Sequence, residues 1–456
     1  MARIYPFRAL RYNPSLVRLQ DVVTQPYDKI SPAMQQAYYQ RSPHNLVRII
    51  LRQPELFDQQ DSIYANAARD FCAWRESGVL SQEKTPCIFA YSQRFTVPGG
   101  EFGQTGATLE RRGFIALGEL YDYDRQVVFR HEQTLSKPKS DRLNLLRATR
   151  AHFGQIFMLY SDPALTAEGL LFSNPDMPDI DVTDEFGVLH RVWKVTDSSI
   201  INLLTTALRD KKLIIADGHH RYETALNYAK EHAGRKTPPA DGDDNEPERL
   251  LERTGDRLPQ PPYPESVTMM TFVNMDSEGL VILPTHRVVF GLGHFQPSAF
   301  LEKARPFFDI EKLSENALET ALSHLNSHSS GTAFVAVTSA GRFLLTARPD
   351  AVAAALDGVS PRQRQLDVVQ LHSLVLEKLL GISPEQIREQ THLRYLRDAS
   401  EAAEQVAHGE ADIAFLMKPV TLDQLREVAF AGEVMPQKST DFFPKLLSGL
   451  AIYALD

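Results

Sequence analysis

Residues 213–230, LIIADGHHRYETALNYAK, constrain this chain more than any other stretch. Leu213, Ile214, Ile215 and Ala216 spell a short buried strand, and Asp217 with Gly218 spells a turn. A helix then opens at or near His220, with Tyr222, Ala225, Leu226 and Ala229 spaced along one of its faces. A strand that breaks into a helix at a glycine leaves the first amides of that helix without carbonyl partners. The helix dipole adds partial positive charge, so the junction favours an anion. His219, His220 and Arg221 add donors there, with Asp217 and Glu223 as the neighbouring carboxylates. A phosphate or carboxylate is the natural guest of such a turn. The competing reading, ordinary helix-entry chemistry with no ligand, is weakened by two histidines and an arginine inside one turn.

The 456 residues suffice for two or three domains, expected at 1–160, 161–292 and 293–456. With 58 acidic residues against 49 basic ones, the formal charge of −9 argues against wholesale nucleic-acid binding. Cys72 and Cys87 are too few for a disulfide framework or a cysteine-rich zinc site, and Cys72, within an apolar helical pattern, reads as core. The opening MARIYPFRAL has charges and a proline where a signal peptide carries an apolar run. No apolar stretch is long enough to span a bilayer, and a cytoplasmic protein is expected.

Near the start, QPYDKIS forms a proline-bounded turn before a helix that has Ser31 as N-cap and Pro32 as its first residue. Asp28 in that turn reads as turn chemistry and helix-dipole compensation, against a functional alternative. Residues 44–51 read as a strand, 63–78 as a helix, and 87–97 with 111–120 as a β-hairpin. Arg130, His131, Lys137, Lys139 and Arg142 then gather at a strand-to-helix passage, interleaved with Glu132 and Asp141. They read either as a solvated loop, with Ser140 or Asp141 capping the helix, or as a second anion site. Residues 161–196 are turn-rich with an extended HRVWKV, and 198–208 form a helix.

About 235–265 the chain is proline-rich and acidic, the composition of a disordered insertion, and its departure from the central helix leaves a lid role open. VTMMTFVNM and LVILPTHRVVFGL then suggest a hairpin whose second strand Pro284 interrupts, presenting His286 and Arg287 at its end. The last third alternates helices and strands, the signature of α/β layering, and His372 reads as core within the apolar run 366–380. The loop 435–445 offers Lys438, Ser439, Thr440 and Lys445, cations beside hydroxyls that suit a polyanion. It lacks the upstream glycines of a Walker-type loop.

The segments QPYDKIS, NLVRI, RHEQT followed by KPKSDRLNLLRAT, IADGHHRYETAL, LPTHRVV, DIAFLMKP and MPQKSTDFFPKLLSGL together resemble the prokaryotic DUF1015 family, over about residues 6–450. The family name supplies no reaction. The DGHHR box separately resembles the nucleotide box of the ParB/sulfiredoxin-like superfamily, which includes partitioning switches, sulfiredoxins and free serine kinases. That resemblance implies a mixed α/β fold and assigns Gly218, His219, His220 and Arg221 to nucleotide phosphates. It implies ATP or ADP as the ligand, and it makes Asp28 a positional candidate for the acidic residue of the kinases.

The reading that follows is a phosphoryl-transfer enzyme acting on a small polar metabolite, with a free amino acid such as L-serine leading. Asp28, Asp217, His219, His220 and Glu223 are the catalytic candidates, Arg130, His131, Lys137, Lys139, Arg142, His286, Arg287, Lys438, Ser439, Thr440 and Lys445 would help to hold phosphate, and Asp217 with Glu132 would hold Mg²⁺ where it is used. A phosphatase acting on a phosphorylated amino acid would use the same cations. A non-enzymatic nucleotide switch is opposed by the acidic balance and the lack of a helix-turn-helix. A metallohydrolase using Asp217, His219 and His220 lacks a third ligand at the usual spacing. Homo-oligomerisation is left open.

Overall fold

The computed structural model describes residues 1–54, 62–98, 106–132, 136–173, 176–233, 258–313, 318–328 and 331–456, with only the backbone of 136–138. It is a mixed α/β protein in which, among the described residues, the two largest sheets have nine and six strands. The larger runs from Val128–Phe129 at one edge through Leu213–Asp217, Ile156–Tyr160, Val267–Asn274, Thr108–Glu119, Ile88–Thr96 and Leu189–Val195 to Ile180–Thr183. Ile4–Tyr5 pairs in addition with Thr108–Glu119. Strands thus enter this sheet from both sides of residue 160.

The smaller sheet has the order Phe308–Lys312, Gly341–Ala347, Ala333–Thr338, Ile413–Leu416, His286–Val289, Leu393–Leu396. Residues near 441–454 pair back onto earlier segments. Asp441–Phe443 pairs with Val281–Leu283, Tyr453–Ala454 pairs with Ala151–His152, and Thr24 bridges to Ser448.

The central strand is apolar on both faces because both faces are covered. Ile214 and Ala216 pack into the core shared with the smaller sheet, whereas Leu213 and Ile215 pack into a second core with Tyr222 and Leu226. The helix that follows runs His219–Ala233, and its expected inner face of Tyr222, Ala225, Leu226 and Ala229 is buried. Ser31 caps the helix Pro32–Arg41 by accepting the Met34 amide, with Pro32 at its first turn. The helix at Ser198–Leu208 and the hairpin of Ile88–Thr96 with Thr108–Glu119 also form as read.

Several expectations are corrected. Residues 44–51 hold a short helix, Val47–Ile50, started by the Asn45 side chain accepting the Val47 amide at 3.0 Å. A short apolar run does not separate helix from strand. Cys72 is exposed, because the buried stripe of Ala67, Phe71 and Trp74 leaves it about a quarter-turn off the inner face. The helix after the RHE motif starts at Ser136, so neither Ser140 nor Asp141 caps it; Asp141 instead accepts from the Tyr64 hydroxyl at 2.8 Å.

The irregular stretch before HRVWKV contains the strand Ile180–Thr183, paired to Leu189–Val195. No hairpin forms around Pro284. Val267–Asn274 lies in the larger sheet and His286–Val289 in the smaller one, and the proline, with no amide to donate, marks the crossing. The run 366–380 is helical but wound as a π-helix over Gln370–Leu379, with His372 buried in it. Most of the insertion expected at 235–265, and with it the lid reading, lies outside the described residues; 258–265 lead into a turn at Pro264–Ser266.

Candidate functional site

The site begins with one register. Val128–Phe129 and Leu213–Asp217 are parallel, Val128 opposite Leu213 and Phe129 opposite Ile214. Two parallel neighbours deliver their following residues to the same end of a sheet. The Arg130–His131–Glu132 motif and the Asp217–Arg221 box therefore emerge side by side, although they are far apart in sequence. Ile156–Tyr160, antiparallel to the central strand, is entered at that end through Gly154 and Gln155. The last 20 or so residues cross the same end, where Glu132 bridges to Met435 and the Met435 amide donates to the His131 carbonyl at 2.7 Å.

Gly218 makes the strand-to-helix break with φ +95°, a conformation open to glycine. A Cβ there would lie 3.1 Å from the Arg221 guanidinium. Arg221 folds back across this glycine to Asp217, Nη2 to Oδ2 at 3.0 Å, and also donates to the Gln155 carbonyl. On its other side Asp217 faces Lys445, Nζ to Oδ1 at 4.0 Å. Burial alone would raise the Asp217 carboxyl, but Lys445, Arg221 and Lys29 hold it well below the ordinary carboxylate range. Lys445 also contacts Asp441 at 3.0 Å, and these two carboxylates keep it protonated despite its burial.

One helical turn further, Glu223 pairs with Lys139 and lies 3.8 Å from Arg130, whose guanidinium stands over the Tyr123 ring at 5.0 Å. The Tyr123 hydroxyl donates to Glu223 at 3.3 Å. His220, the second residue of the helix, feels the charges of both Lys139 and Glu223. Burial, then the charge of Lys139, lowers its pKa, opposed by Glu223 and Asp28. Asp28 itself is exposed in the turn Tyr27–Lys29, within electrostatic reach of His220.

His219 points the other way. Its ring is 7% exposed and packs edge-on against His131, centroids 4.8 Å apart, with Nε2 buried and making no hydrogen bond among the described residues. His131 Nε2 meets the Thr440 hydroxyl at 2.8 Å. Burial lowers His131 to about 4 and His219 well below the usual imidazole value, so both rings are neutral at pH 7. Glu132 accepts the Lys438 amide at 2.7 Å, and Lys438 takes a positive φ of 57° in that loop.

Other candidates support the site from behind. Arg287 is buried, donates to the Lys438 carbonyl at 3.0 Å and to His372 at 3.3 Å, and stands over Tyr395. His286 is buried and accepts the Met417 amide at 3.1 Å. The Ser439 hydroxyl turns to the Pro436 carbonyl at 2.6 Å. Arg142 is held by the Ile50 carbonyl at 2.6 Å and by Asp141, and stacks over Tyr27. Lys137 is in the helix Ser136–Thr149, its side chain outside the described residues.

Lys29, Asp441, Arg397 and Gln155 were missed in the sequence. Lys29 directly follows Asp28, and Asp441 precedes Lys445 by four, so both had a visible signal. Arg397 had none.

Among the described residues no group of three or more His, Cys, Asp or Glu side chains is placed to hold a metal ion. Asp217 is engaged by Arg221 and Lys445, and Glu132 by the Lys438 amide. No described helix is long and apolar enough to cross a membrane.

A family model described as "Protein of unknown function (DUF1015)" matches residues 4–369. The chain belongs to the DUF1015 family. No curated protein matches this DUF1015 chain. Among solved structures it is similar to a free serine kinase in complex with AMP, at 14% identity and a TM-score of 0.31, covering 69% of this chain and 83% of that one. A conserved hypothetical protein from Pyrococcus furiosus matches at 13% identity and TM-score 0.32, covering 70% and 89%. SbnI with C-terminal truncation from Staphylococcus aureus matches at 10% and 0.35, covering 74% and 87%.

Proposed function

We propose that this protein is a nucleotide-dependent phosphoryl-transfer enzyme, with phosphates docking at the start of the helix His219–Ala233 and a small polar metabolite as acceptor. The observation that carries this reading is the gathering of cations from three separate segments over the first turns of one helix, Arg221 and Lys445 on Asp217 at the glycine turn and Arg130 and Lys139 on Glu223 one turn further, where His220 feels Lys139 and Glu223. Phosphoryl transfer needs little covalent help from protein. It needs cations around the moving group and a carboxylate to receive the acceptor's proton.

The carboxylates divide by environment. Asp217 is committed to Arg221 and Lys445, and Glu223 to Lys139 and Arg130. Asp28 makes no ion pair or hydrogen bond among the described residues and stands near the neutral His220 ring. In the proposed step the acceptor hydroxyl oxygen bonds to the terminal phosphorus of the nucleotide, ATP or ADP, the bond from that phosphorus to its bridging oxygen breaks, and the nucleotide leaves one phosphate shorter, as ADP or AMP. The hydroxyl proton passes to Asp28. Arg221 and Lys139 balance charge on the phosphates, and His219 holds the turn against His131 without touching the ligand. Mg²⁺, where used, arrives with the nucleotide. A free amino acid with a side-chain hydroxyl, L-serine first, is the leading acceptor, and the protein works in the cytoplasm.

A thermal-shift series with ATP, ADP, AMP and phosphoserine tests this. Ligand at about a hundred times its Kd adds about 2.7 kcal/mol to the native state and raises Tm accordingly. ATP or ADP should shift the melting point, and Arg221→Ala should abolish the shift. Protection by phosphoserine with none by any nucleotide would replace the kinase by a phosphatase on the same cations.

A further inference from the structure

Beside Lys445 lies a cavity of about 210 Å³, most of whose walls belong to none of the phosphate-holding motifs. Gln25, Lys29, Asp184, Arg397, Phe443 and Lys445 are among its walls. Lys445 joins it to the box, since one ammonium faces Asp217 at 4.0 Å and Asp441 at 3.0 Å.

The charges around it do not balance. Arg397, Lys445 and Lys29 converge on Asp441, with Arg397 Nη2 at 3.0 Å, Lys445 Nζ at 3.0 Å and Lys29 Nζ at 3.7 Å, and the second carboxylate that Lys445 reaches, Asp217, is already paired with Arg221. Asp184, the other acid in the wall, is spoken for. It accepts the Phe186 and Val188 amides and the Gln25 amide group, each at 2.9 Å, and meets His190 at 3.2 Å. Its four partners leave no open position for an ammonium. Burial and the neighbouring Lys445 lower the pKa of Lys29, as expected of a cation with too little counter-charge nearby. Lys445 is almost fully buried and so fixed in the wall, whereas Lys29 and Arg397 are partly exposed and held by Asp441.

We infer that this cavity receives the carboxylate of the phosphoryl acceptor, held by Lys29, Arg397 and Lys445, and that the acceptor is a small hydroxylated carboxylic acid. The inference rests on the phosphoryl-transfer reading for the word acceptor. The site itself rests on the cavity and its cations. A carboxylate is a better guest than a second phosphate, because Asp441 already takes part of the positive charge and the space is small. With its acid group in this cavity, such a molecule has its hydroxyl on the Lys445 side, toward the glycine turn.

The test pairs acids with their neutral analogues on the full-length wild-type protein: L-serine against serinamide, and glycerate against glycerol. Melting temperature is recorded with and without ATP. The acids should raise it and the neutral partners should not, and any turnover should follow the same order. Equal effects from acid and neutral partner, or no effect from either, overturn the inference.

Arg397→Met should weaken acid binding by about tenfold or more, the value of a lost charge-assisted hydrogen bond. Nucleotide affinity should stay within about twofold, and Arg397→Lys should recover part of the loss. A parallel loss of nucleotide and acid binding in Arg397→Met would place Arg397 in the structural network and overturn its assignment. Acid binding without nucleotide binding would sink the kinase reading while leaving the cavity assignment standing.

Discussion

The Arg221 guanidinium lies 3.0 Å from the Asp217 carboxylate four residues before it, across a glycine whose Cβ position its own atoms overhang at 3.1 Å. The pair and the glycine are one device. Asp217 holds Arg221 over the turn, and Gly218 is the residue that leaves it room at φ +95°. Gly218→Ala should cost about 1–2 kcal/mol from the backbone conformation alone. It should also push the guanidinium off its position, so nucleotide affinity should fall further than stability does. Urea unfolding and nucleotide titration on the same variant check this. A variant that melts lower but binds normally would separate Arg221 from the ligand.

Lys445 links Asp217 and Asp441 from a nearly buried position. Removing one partner of a buried ionic set leaves charge uncompensated, which typically costs about 3–5 kcal/mol. Lys445→Met should fall at the lower end, because Arg221 remains on Asp217 and Arg397 on Asp441. The measurement is the urea midpoint at neutral pH. A loss below about 1 kcal/mol would mean that the set behaves as an exposed one.

How much of this was readable in the sequence follows from what each element depends on. The strand, glycine and helix of 213–233 were legible because local patterning and burial agree there. So was the hairpin of Ile88–Thr96 and Thr108–Glu119. The helix Val47–Ile50 was not, since its apolar pattern suits either state and the Asn45 side chain, which accepts the Val47 amide, turns the chain just before it. Pro284 was seen as a break, but where the chain goes after it is set by strand partners more than 100 residues away.

At the site, the charged box, the RHE motif and the KST loop were all visible as separate motifs. Their division into ligand-facing and supporting groups was not. His219 and His220 are identical in sequence terms, yet one packs inward on His131 and the other stands among Lys139, Glu223 and Asp28. Helix phase separates them by about 100°. Arg287, expected at a strand end among the phosphate-holding cations, proves to be buried under Lys438, because the loop that covers it comes from the far end of the chain.

That loop depends on Glu132, whose Oε1 accepts the Lys438 amide at 2.7 Å. The bond is charge-assisted and joins residues 306 positions apart, so it anchors the loop to the edge strand. Glu132→Ala should cost about 1.5–3 kcal/mol, the value of a hydrogen bond to a charged group. Hydrogen exchange gives the local readout: the Lys438 amide should lose about tenfold or more in protection while amides of Leu213–Asp217 keep theirs. Glu132→Gln keeps an acceptor and should lose less. Unchanged exchange at Lys438 in the alanine variant would remove Glu132 from this role.

The acid response of the fold should come in two stages. His131 is neutral when folded, its pKa lowered from 6.5 to about 4 by burial, whereas the unfolded chain takes up a proton near 6.5. Below that pH the unfolded state binds more protons, and stability falls as pH falls. The loss from this group runs from pH 6.5 down to about 4 and then levels off. Its slope is one proton's worth, about 1.4 kcal/mol per pH unit.

His219, lowered further for the same reason, prolongs the decline. Asp217 and Asp441 act in the next window. Burial opposes their ionisation but Lys445 leads the charges that depress both, so their contribution is present above the ordinary carboxylate value of 3.8 and is lost as pH falls below it. Urea unfolding from pH 7 to pH 3 should therefore give a flat top, a first slope, and a steeper second one. His131→Asn, which cannot titrate, should flatten the first slope by one proton and leave the second unchanged. An identical first slope in wild type and variant would mean that the ring is already protonated, or exposed to solvent, in the folded protein.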